Sequence, residues 1–282
     1  MAVVNFIPEI WSARLLTALQ TRHVGAVICN RDYEGDVTPG ATVNITSVAD
    51  PTIDNYDGSD FTFDELSDAT RALVVDQAKF FAIKLDDVDR VQAVNGGALL
   101  AEGLQRAGYK LADELDQFLL DKIASGAGHQ LTETTITSAA KAYEHLVDLS
   151  VLLDESDVPE FGRWAVVSPA FYGVLQKDDR FVKSGAASGA ATLANGVVGS
   201  AAGFTVLKSN NIPAAVSGTS SSNKFVLAGT SIATTLAEQI DKVEAVRLER
   251  SFGDGVKGLH VYGAKVRRPT CLVASDLRIN LS

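Results

Sequence analysis

The sequence has 282 residues, of which 46% are hydrophobic and 21% charged, and its formal net charge is −10. This composition is typical of a folded globular chain and excludes disorder as the dominant state. The negative charge excludes broad binding to nucleic acid, which needs Lys and Arg against phosphates. The two cysteines, Cys29 and Cys271, are too few for a disulfide framework, and we expect free thiols. Neither a signal peptide nor a run of 18 apolar residues occurs, so we expect no membrane contact and synthesis in a reducing cytoplasm.

The acidic charge is concentrated in the first half of the chain. Residues 1–140 carry a formal charge of −11, whereas residues 141–282 carry +1. Ten acids and no base lie between Asp32 and Asp68. Any contact with nucleic acid should therefore be confined to local basic spots or consist of enclosure alone.

Residues 1–32 are predicted to form an N-terminal arm. Pro8 can open a helical turn, and apolar residues from Ile10 to Leu19 recur at roughly helical spacing. An arm this short has little core of its own. Its apolar side chains are therefore expected to pack on another body.

Residues 33–80 are predicted to form a long acidic β-hairpin. Alternating residues follow Pro39-Gly40, Asp57-Gly58 marks a turn, and residues 71–84 form a second ribbon rich in β-branched and aromatic side chains. The Gly253–Gly258 segment is interpreted in the same way, as a glycine-rich turn joining strands 243–252 and 259–266. A long hairpin is marginal alone and needs a neighbour to lie on.

Two long helices are predicted after the hairpin. Leucines, Ala107 and Phe118 step by three or four through residues 97–124, and Gly126 and Gly128 follow. A second apolar stripe predicts a helix over 138–155. A short strand, a helix opened by Pro169 and two more strands near 204–207 and 225–227 come next. This mixture of helices and mostly antiparallel strands predicts the α+β class.

The motifs with catalytic or ligand-binding potential have simpler structural explanations. Gly253-x-Gly255-x-x-Gly258 matches the dinucleotide pattern, but a helix must follow that pattern and here a strand does. The four histidines lack the spacing of a metal site. Asp54, Asp57 and Asp60 fail the calcium-loop pattern because Tyr56 occupies the third position. We therefore predict no catalytic residue, no metal site and no cofactor.

Charged patches on the two halves of the chain are the candidates for contacts between subunits. Basic spots occur at Lys177–Lys183 and near the C-terminal end. They are either ordinary exposed charge or a surface that receives the acidic hairpin of a neighbouring copy, because opposite patches on identical subunits favour ring-forming contacts. The candidate contact residues are Asp54, Asp57, Asp60, Asp64, Lys265, Arg267 and Arg268.

Four ordered strings resemble segments of phage coat proteins. Residues 75–92 resemble a return strand leading into a spine helix, and residues 163–175 resemble a strand-to-helix step. Residues 196–210 and 261–269 resemble the segments that follow and close the fold. The chain is thereby identified as similar to the capsid-subunit fold of tailed bacteriophages, which herpesvirus shell floors and encapsulins share.

The resemblance implies a domain order and a function. The N-terminal arm (1–32) and extended loop (33–80) would be followed by a peripheral domain with a spine helix (81–135), an axial domain (136–235) and peripheral return strands (236–282). The expected function is that of a major capsid protein forming pentamers and hexamers of an icosahedral shell around double-stranded DNA. An encapsulin-type compartment is the alternative, and a nucleotide-binding enzyme is a third.

Partners and assembly chemistry also follow from the resemblance. The chain has neither a scaffolding segment nor an inserted domain, so a separate scaffolding protein is implied, together with a portal protein and optionally a decoration protein. The first lysine of the chain is Lys79, beyond the loop's tip. Isopeptide welding from a loop lysine is therefore not expected, and the shell should be non-covalent. The expected location is the virion, after assembly in the cytoplasm of a bacterial host.

Overall fold

The computed structural model describes residues 24–31, 42–48, 68–86, 96–178, 199–214, 224–248 and 253–280. Its helices are α1 (Gly25–Ile28), α2 (Gly96–Gly126), α3 (Ala139–Asp154) and α4 (Pro169–Gln176). Its strands are β1 (Thr42–Val48), β2 (Asp68–Val74), β3 (Gln77–Asp86), β4 (His129–Ile136), β5 (Arg163–Val167), β6 (Ser200–Ala201), β7 (Phe204–Lys208), β8 (Lys224–Thr230), β9 (Thr234–Arg247), β10 (Gly253–Val266) and β11 (Leu272–Ile279). A 3-10 turn, Pro269–Cys271, precedes β11.

These strands form three separate sheets. β1 and β2 pair as an antiparallel ribbon, and β3-β10-β9 form an antiparallel sheet of three. The third sheet has six strands in the order β4-β11-β8-β5-β7-β6, with parallel pairing only at β4-β11 and β5-β7. The α+β class with mostly antiparallel strands is confirmed. The predicted short helix in residues 1–23 lies outside the described residues.

The long helix α2 connects the two larger sheets. Its buried stripe includes Leu104, Leu111, Leu115 and Leu119, as 3.6-residue periodicity requires. Thirty-one residues at 1.5 Å each give a length of about 46 Å. The helix ends at Gly126, where a Cβ atom would lie 2.6 Å from Cγ2 of Val266. The predicted helix over 97–124 is confirmed.

The helices α3 and α4 begin at serine caps. Ser138 accepts a hydrogen bond from the backbone N–H of Lys141, and Ser168 accepts one from that of Phe171. Pro169 occupies the first turn of α4, where its missing N–H is not needed. The stripe of α3 is fully buried at Ala142, Leu146, Leu149 and Leu153. Both sequence-based helix predictions are confirmed.

The glycine pattern Gly253-x-Gly255-x-x-Gly258 lies inside β10, so its interpretation as a hairpin turn was wrong. β9 extends to Arg247, and the hairpin is closed by the Leu248 N–H donating to the Gly253 carbonyl. Gly258 faces Phe81 of β3, whose Cε1 would lie 2.3 Å from an added Cβ atom. Here the glycine accommodates an aromatic ring from a distant strand.

The ribbon predicted over 71–84 is two strands rather than one. β2 ends at Val74 and pairs with β1, whereas β3 starts at Gln77 and pairs with β10. The strand β11 joins β4 and β8 in the six-stranded sheet, away from the other strands of 236–282. The division into five domains remains a prediction.

Candidate subunit-contact surfaces

The basic candidates Lys265, Arg267 and Arg268 lie together where β10 ends. The backbone N–H groups of Arg267 and Arg268 both donate to the Ala233 carbonyl, at 2.7 and 3.2 Å. Arg268 is exposed, while Lys265 and Arg267 are half-buried and have interactions within the chain. The fixed backbone therefore places three cations at one corner, beside the start of β9.

The acidic candidates Asp54, Asp57, Asp60 and Asp64 lie outside the described residues. Of the second predicted basic spot, Lys177 follows α4 directly, whereas Arg180 and Lys183 lie outside the described residues as well. The structure therefore describes only the basic side of the predicted acidic-to-basic contact.

The base of the β1–β2 ribbon is anchored on the three-stranded sheet. Leu73 and Val75 pack with Ala237 and Val261 in a small buried cluster. Gly263 permits the crossing, since a Cβ atom there would lie 2.5 Å from the carbonyl oxygen of Val74. Beyond this anchor, β1 and β2 hydrogen-bond with each other in full register from Thr42↔Val74 to Val48↔Asp68.

A buried carboxylate joins three segments at the middle of α2. Asp116 is 3% exposed, and its Oδ1 accepts a 2.7 Å hydrogen bond from the backbone N–H of Gly25. Its Oδ2 accepts from the Ser209 hydroxyl and the Asn211 amide, both at 3.1 Å. Because three donors surround the buried charge, this site fixes α1, α2 and the segment after β7 relative to one another.

The chain leaves this junction along β9. The Asn30 N–H donates to the Thr234 carbonyl at 2.8 Å, and the Leu236 N–H donates to the Asn30 carbonyl at 2.9 Å. Arg31 then forms an ion pair with Glu238. Residues 24–31 are thus attached both to α2 and to β9.

The two thiols are buried and free, as the sequence predicted. Burial, reinforced by the nearby carboxylate of Asp116, raises the pKa of Cys29 to about 12. A thiol with such a pKa stays protonated at neutral pH and is unreactive. Cys29 therefore contributes to packing rather than to chemistry.

The outer face of the three-stranded sheet carries exposed apolar side chains. Phe80 is 77% exposed and Val246 is 39% exposed. Beside Phe80, Lys257 and Glu244 form an exposed ion pair at 2.9 Å. The opposite face packs on α2, where Phe81 and Val243 contact Leu111 and Ala112. Among the described residues, the face that carries Phe80 and Val246 is therefore partly exposed.

Among the described residues, no three or more His, Cys, Asp or Glu side chains are grouped so that they could hold a metal ion. No helix in the described part of the chain has the length and apolarity needed to cross a bilayer.

Comparisons with known proteins identify the family. The model of a family described as phage capsid protein matches residues 67–275. A solved structure from Mycobacterium phage Che8 is 31% identical, with a TM-score of 0.75, covering 90% of this chain and 91% of that one. The chain belongs to the phage capsid protein family.

More distant solved structures share the fold alone. The capsid structure of cyanophage P-SCSP1u has a TM-score of 0.66 at 18% identity, covering 91% of this capsid protein and 87% of that chain. A virus-like particle from Pyrococcus furiosus has a TM-score of 0.56 at 13% identity, covering 96% and 99%. A comparison with curated protein sequences gave no significant match.

Family membership settles the broad role of this capsid protein. It is a structural protein of the virion capsid, a tailed-phage major capsid protein with the capsid-subunit fold, and not an enzyme. Copies of the chain assemble into a capsid. The sequence-based recognition of a tailed-phage capsid protein is confirmed.

Sequence analysis missed the polar junction at Asp116. Its signal was present, since Asp116 stands on the buried side of α2, with Ala112 four residues before it and Leu119 and Leu120 after it. A carboxylate among buried apolar positions needs partners. Those partners, however, come from residues 91 to 95 positions away, which no local pattern reveals.

Proposed function

We propose that this capsid protein forms pentamers and hexamers that close into an icosahedral shell around double-stranded DNA, held together by non-covalent contacts. The supporting observation is the β1–β2 ribbon. Within the described residues it hydrogen-bonds with neither of the larger sheets, and its base packs on the body through Leu73. An isolated two-stranded ribbon is marginal in water, so a neighbouring copy is the natural support for it.

Charge gives the ribbon's loop a preferred surface. The segment from Asp32 to Asp68 holds ten acids and no base, while Lys265, Arg267 and Arg268 form a fixed basic corner on the body. We infer that the loop residues Asp54, Asp57, Asp60 and Asp64 contact this corner on an adjacent copy. Each exposed ion pair is weak, but many copies acting together give a stable shell.

The shell should contain no covalent links between subunits. The extended loop before Lys79 has no lysine, and Lys79 itself lies on β3, with its Nζ 3.4 Å from a carboxylate oxygen of Glu114. Denatured particles are therefore expected to migrate as single subunits on a gel. A ladder of higher bands under reducing conditions would contradict this part of the proposal.

The proposal includes partners and a place of assembly. A separate scaffolding protein would guide curvature, a portal protein would occupy one vertex, and a decoration protein could bind the outer surface. Assembly would take place in the cytoplasm of a bacterial host. The net charge of −10 suits enclosure of DNA without tight binding, because repulsion keeps the packaged DNA releasable.

The main test reverses charge in the acidic loop. The variant Asp54→Lys, Asp57→Lys and Asp60→Lys should abolish or strongly reduce particle formation, seen by negative-stain microscopy, while the melting temperature of the monomer stays unchanged. The matched control reverses three acids elsewhere, at Asp121, Glu144 and Asp148. Normal assembly of the loop variant at every salt concentration would refute the acidic contact.

The encapsulin-type alternative makes a different prediction about contents. Particles purified from infected cells should contain double-stranded DNA of genome length if the proposal holds. A protein cargo without DNA would instead support the compartment.

A further inference from the structure

Phe161 is the most exposed large apolar side chain among the described residues, with 96% of its surface accessible. It lies in the connection between α3 and β5, just before Arg163. Single exposed apolar side chains are ordinary on protein surfaces, so exposure alone identifies nothing. What distinguishes Phe161 is the rigid frame that holds it.

The frame is built by Arg163, whose side chain is only 2% exposed. Its guanidinium donates to the carbonyls of Pro159 and Val158, and it forms a 2.7 Å ion pair with Asp154 at the end of α3. Asp157 and Gly162 both have left-handed backbone, with φ of 55° and 74°. The buried guanidinium and the two left-handed residues hold the connection in one conformation. Phe161 therefore loses little conformational entropy when it binds a partner.

A cavity that can receive such a ring lies at the opposite end of the six-stranded sheet. It has a volume of about 270 Å³ and is lined by Pro169, Ala170, Phe171, Leu277, Ile279 and Lys224, among others. An apolar cavity of about 150 Å³ is enough to hold benzene. The space therefore suffices for one phenyl ring.

The register of the sheet separates Phe161 from this cavity. Arg163 pairs with Thr230 where β5 begins, whereas Leu277 pairs with Lys224 at the other end. The five residues of β5 alone span about 16 Å. A chain cannot fill its own cavity, but a second copy can, and contacts between different surfaces of identical subunits build rings.

Charge at the two ends is complementary. The connection around Phe161 exposes Glu155, Asp157 and Glu160. The cavity is lined by Lys224, whose Nζ donates to the Asn210 carbonyl at 2.8 Å. An aromatic side chain flanked by acids thus matches a largely apolar cavity that carries one cation.

We propose that Phe161 of one copy inserts into the cavity between α4 and β11 of the next copy, as a head-to-tail anchor within a pentamer or hexamer. The inference rests on the proposed ring-forming function and names a contact that the acidic loop does not explain. Aromatic anchors in well-formed pockets carry a large share of binding at interfaces.

A disulfide test decides the contact. The double variant Phe161→Cys, Ala170→Cys is assembled into particles and oxidised, while Cys29 and Cys271 stay buried. A non-reducing gel is expected to show a ladder ending at five or six linked subunits, with single bands for either variant alone. Particles that form but give no ladder would overturn the anchor and leave the proposed function standing.

A second test applies if the double-cysteine variant forms no particles. Glu160→Lys should reduce particle yield at least tenfold, and adding Lys224→Glu should restore it. Each chain must keep the melting temperature of the unaltered protein. Failure of the second change to restore particles overturns the anchor, whereas a wild-type chain that forms no particles with its neighbouring gene products overturns the proposed function itself.

Discussion

The six-stranded sheet and the three-stranded sheet differ in how much core each possesses. The six-stranded sheet packs with α2, α3 and α4 around one large cluster of buried side chains. Among the described residues, the three-stranded sheet and the ribbon contribute to two small clusters, one around Leu73 and Val261 and one around Leu111 and Ala112. The first region has the burial of an independent domain. The second exposes Phe80 and Val246 on one face, which suits a surface completed by neighbouring copies.

The largest expected effect comes from truncating one buried leucine in each of these two regions and comparing the stability and the assembly of the variants. Leu149→Ala in the large core should lower the free energy of unfolding by about 3–5 kcal/mol, because the dense surroundings cannot collapse into the cavity. Leu73→Ala, equally buried, should cost about 2 kcal/mol but should also reduce particle yield, since it loosens the ribbon's base. Urea unfolding and particle counts measure both. Equal costs with equal assembly would show that the two regions do not differ.

The junction between the regions should be the next most sensitive place. Asp116→Asn keeps the shape but removes the charge that three donors share, and we expect a loss of about 2 kcal/mol. Amide exchange in residues 24–31 should accelerate in the same variant, because the amide keeps a single neutral acceptor oxygen, for which Gly25 competes with Ser209 and Asn211. Asp121→Asn, exposed on the same helix, is the control and should change the free energy of unfolding by less than about 0.5 kcal/mol. Unchanged exchange at residues 24–31 would contradict the role of the junction.

Two glycines of the thin sheet give a smaller contrast. Gly258→Ala should destabilise the protein by about 1–3 kcal/mol, because the new methyl group meets the Phe81 ring. Gly255→Ala should be neutral or slightly stabilising, since its nearest neighbour would lie 3.5 Å away. Thermal melts compare the two, and Phe81→Leu added to Gly258→Ala should recover part of the loss. If both glycine variants melt alike, the close approach to Phe81 is not important.

The smallest expected effect is a pH dependence of the free energy of unfolding that comes from the region of the six-stranded sheet and its helices. Burial lowers the pKa of His145 on α3, with Asp148 partly opposing the shift. The unfolded chain therefore binds a proton below about pH 6.5 while the folded chain does not, so stability falls as the pH drops. His145→Leu should remove a slope of at most about 1.4 kcal/mol per pH unit from urea unfolding between pH 7 and 5. An unchanged slope would show that His145 is not the responsible group.

Local sequence patterns predicted the elements around the six-stranded sheet well, and those of the three-stranded sheet and the ribbon less well. The stripes of α2 and α3 and the start of α4 at Pro169 follow from periodicity and capping, which are properties of neighbouring residues. Local patterns misassigned the glycines of β10, because the sequence does not distinguish a glycine in a turn from a glycine that packs against an aromatic ring of a distant strand. Likewise, the break between β2 and β3 follows from β3 pairing with β10, more than 160 residues later.

The candidate contacts depend even more on distant residues. Charge counting found the basic corner at Lys265, Arg267 and Arg268, but nothing in the sequence indicated that Ala233 holds its backbone. Phe161 carried no signal either, since its proposed role depends on the contacts of Arg163 with α3. Both proposed contacts therefore depend on residues that fix the backbone beneath the surface.

The position of β11 has a consequence for the order of events during translation. This strand occupies the place between β4 and β8, although it is made more than 40 residues after β8. The nascent chain therefore carries an open slot in its largest sheet until the ribosome has passed Ile279. The six-stranded sheet therefore reaches its full strand order only after almost all of the described chain has been synthesised.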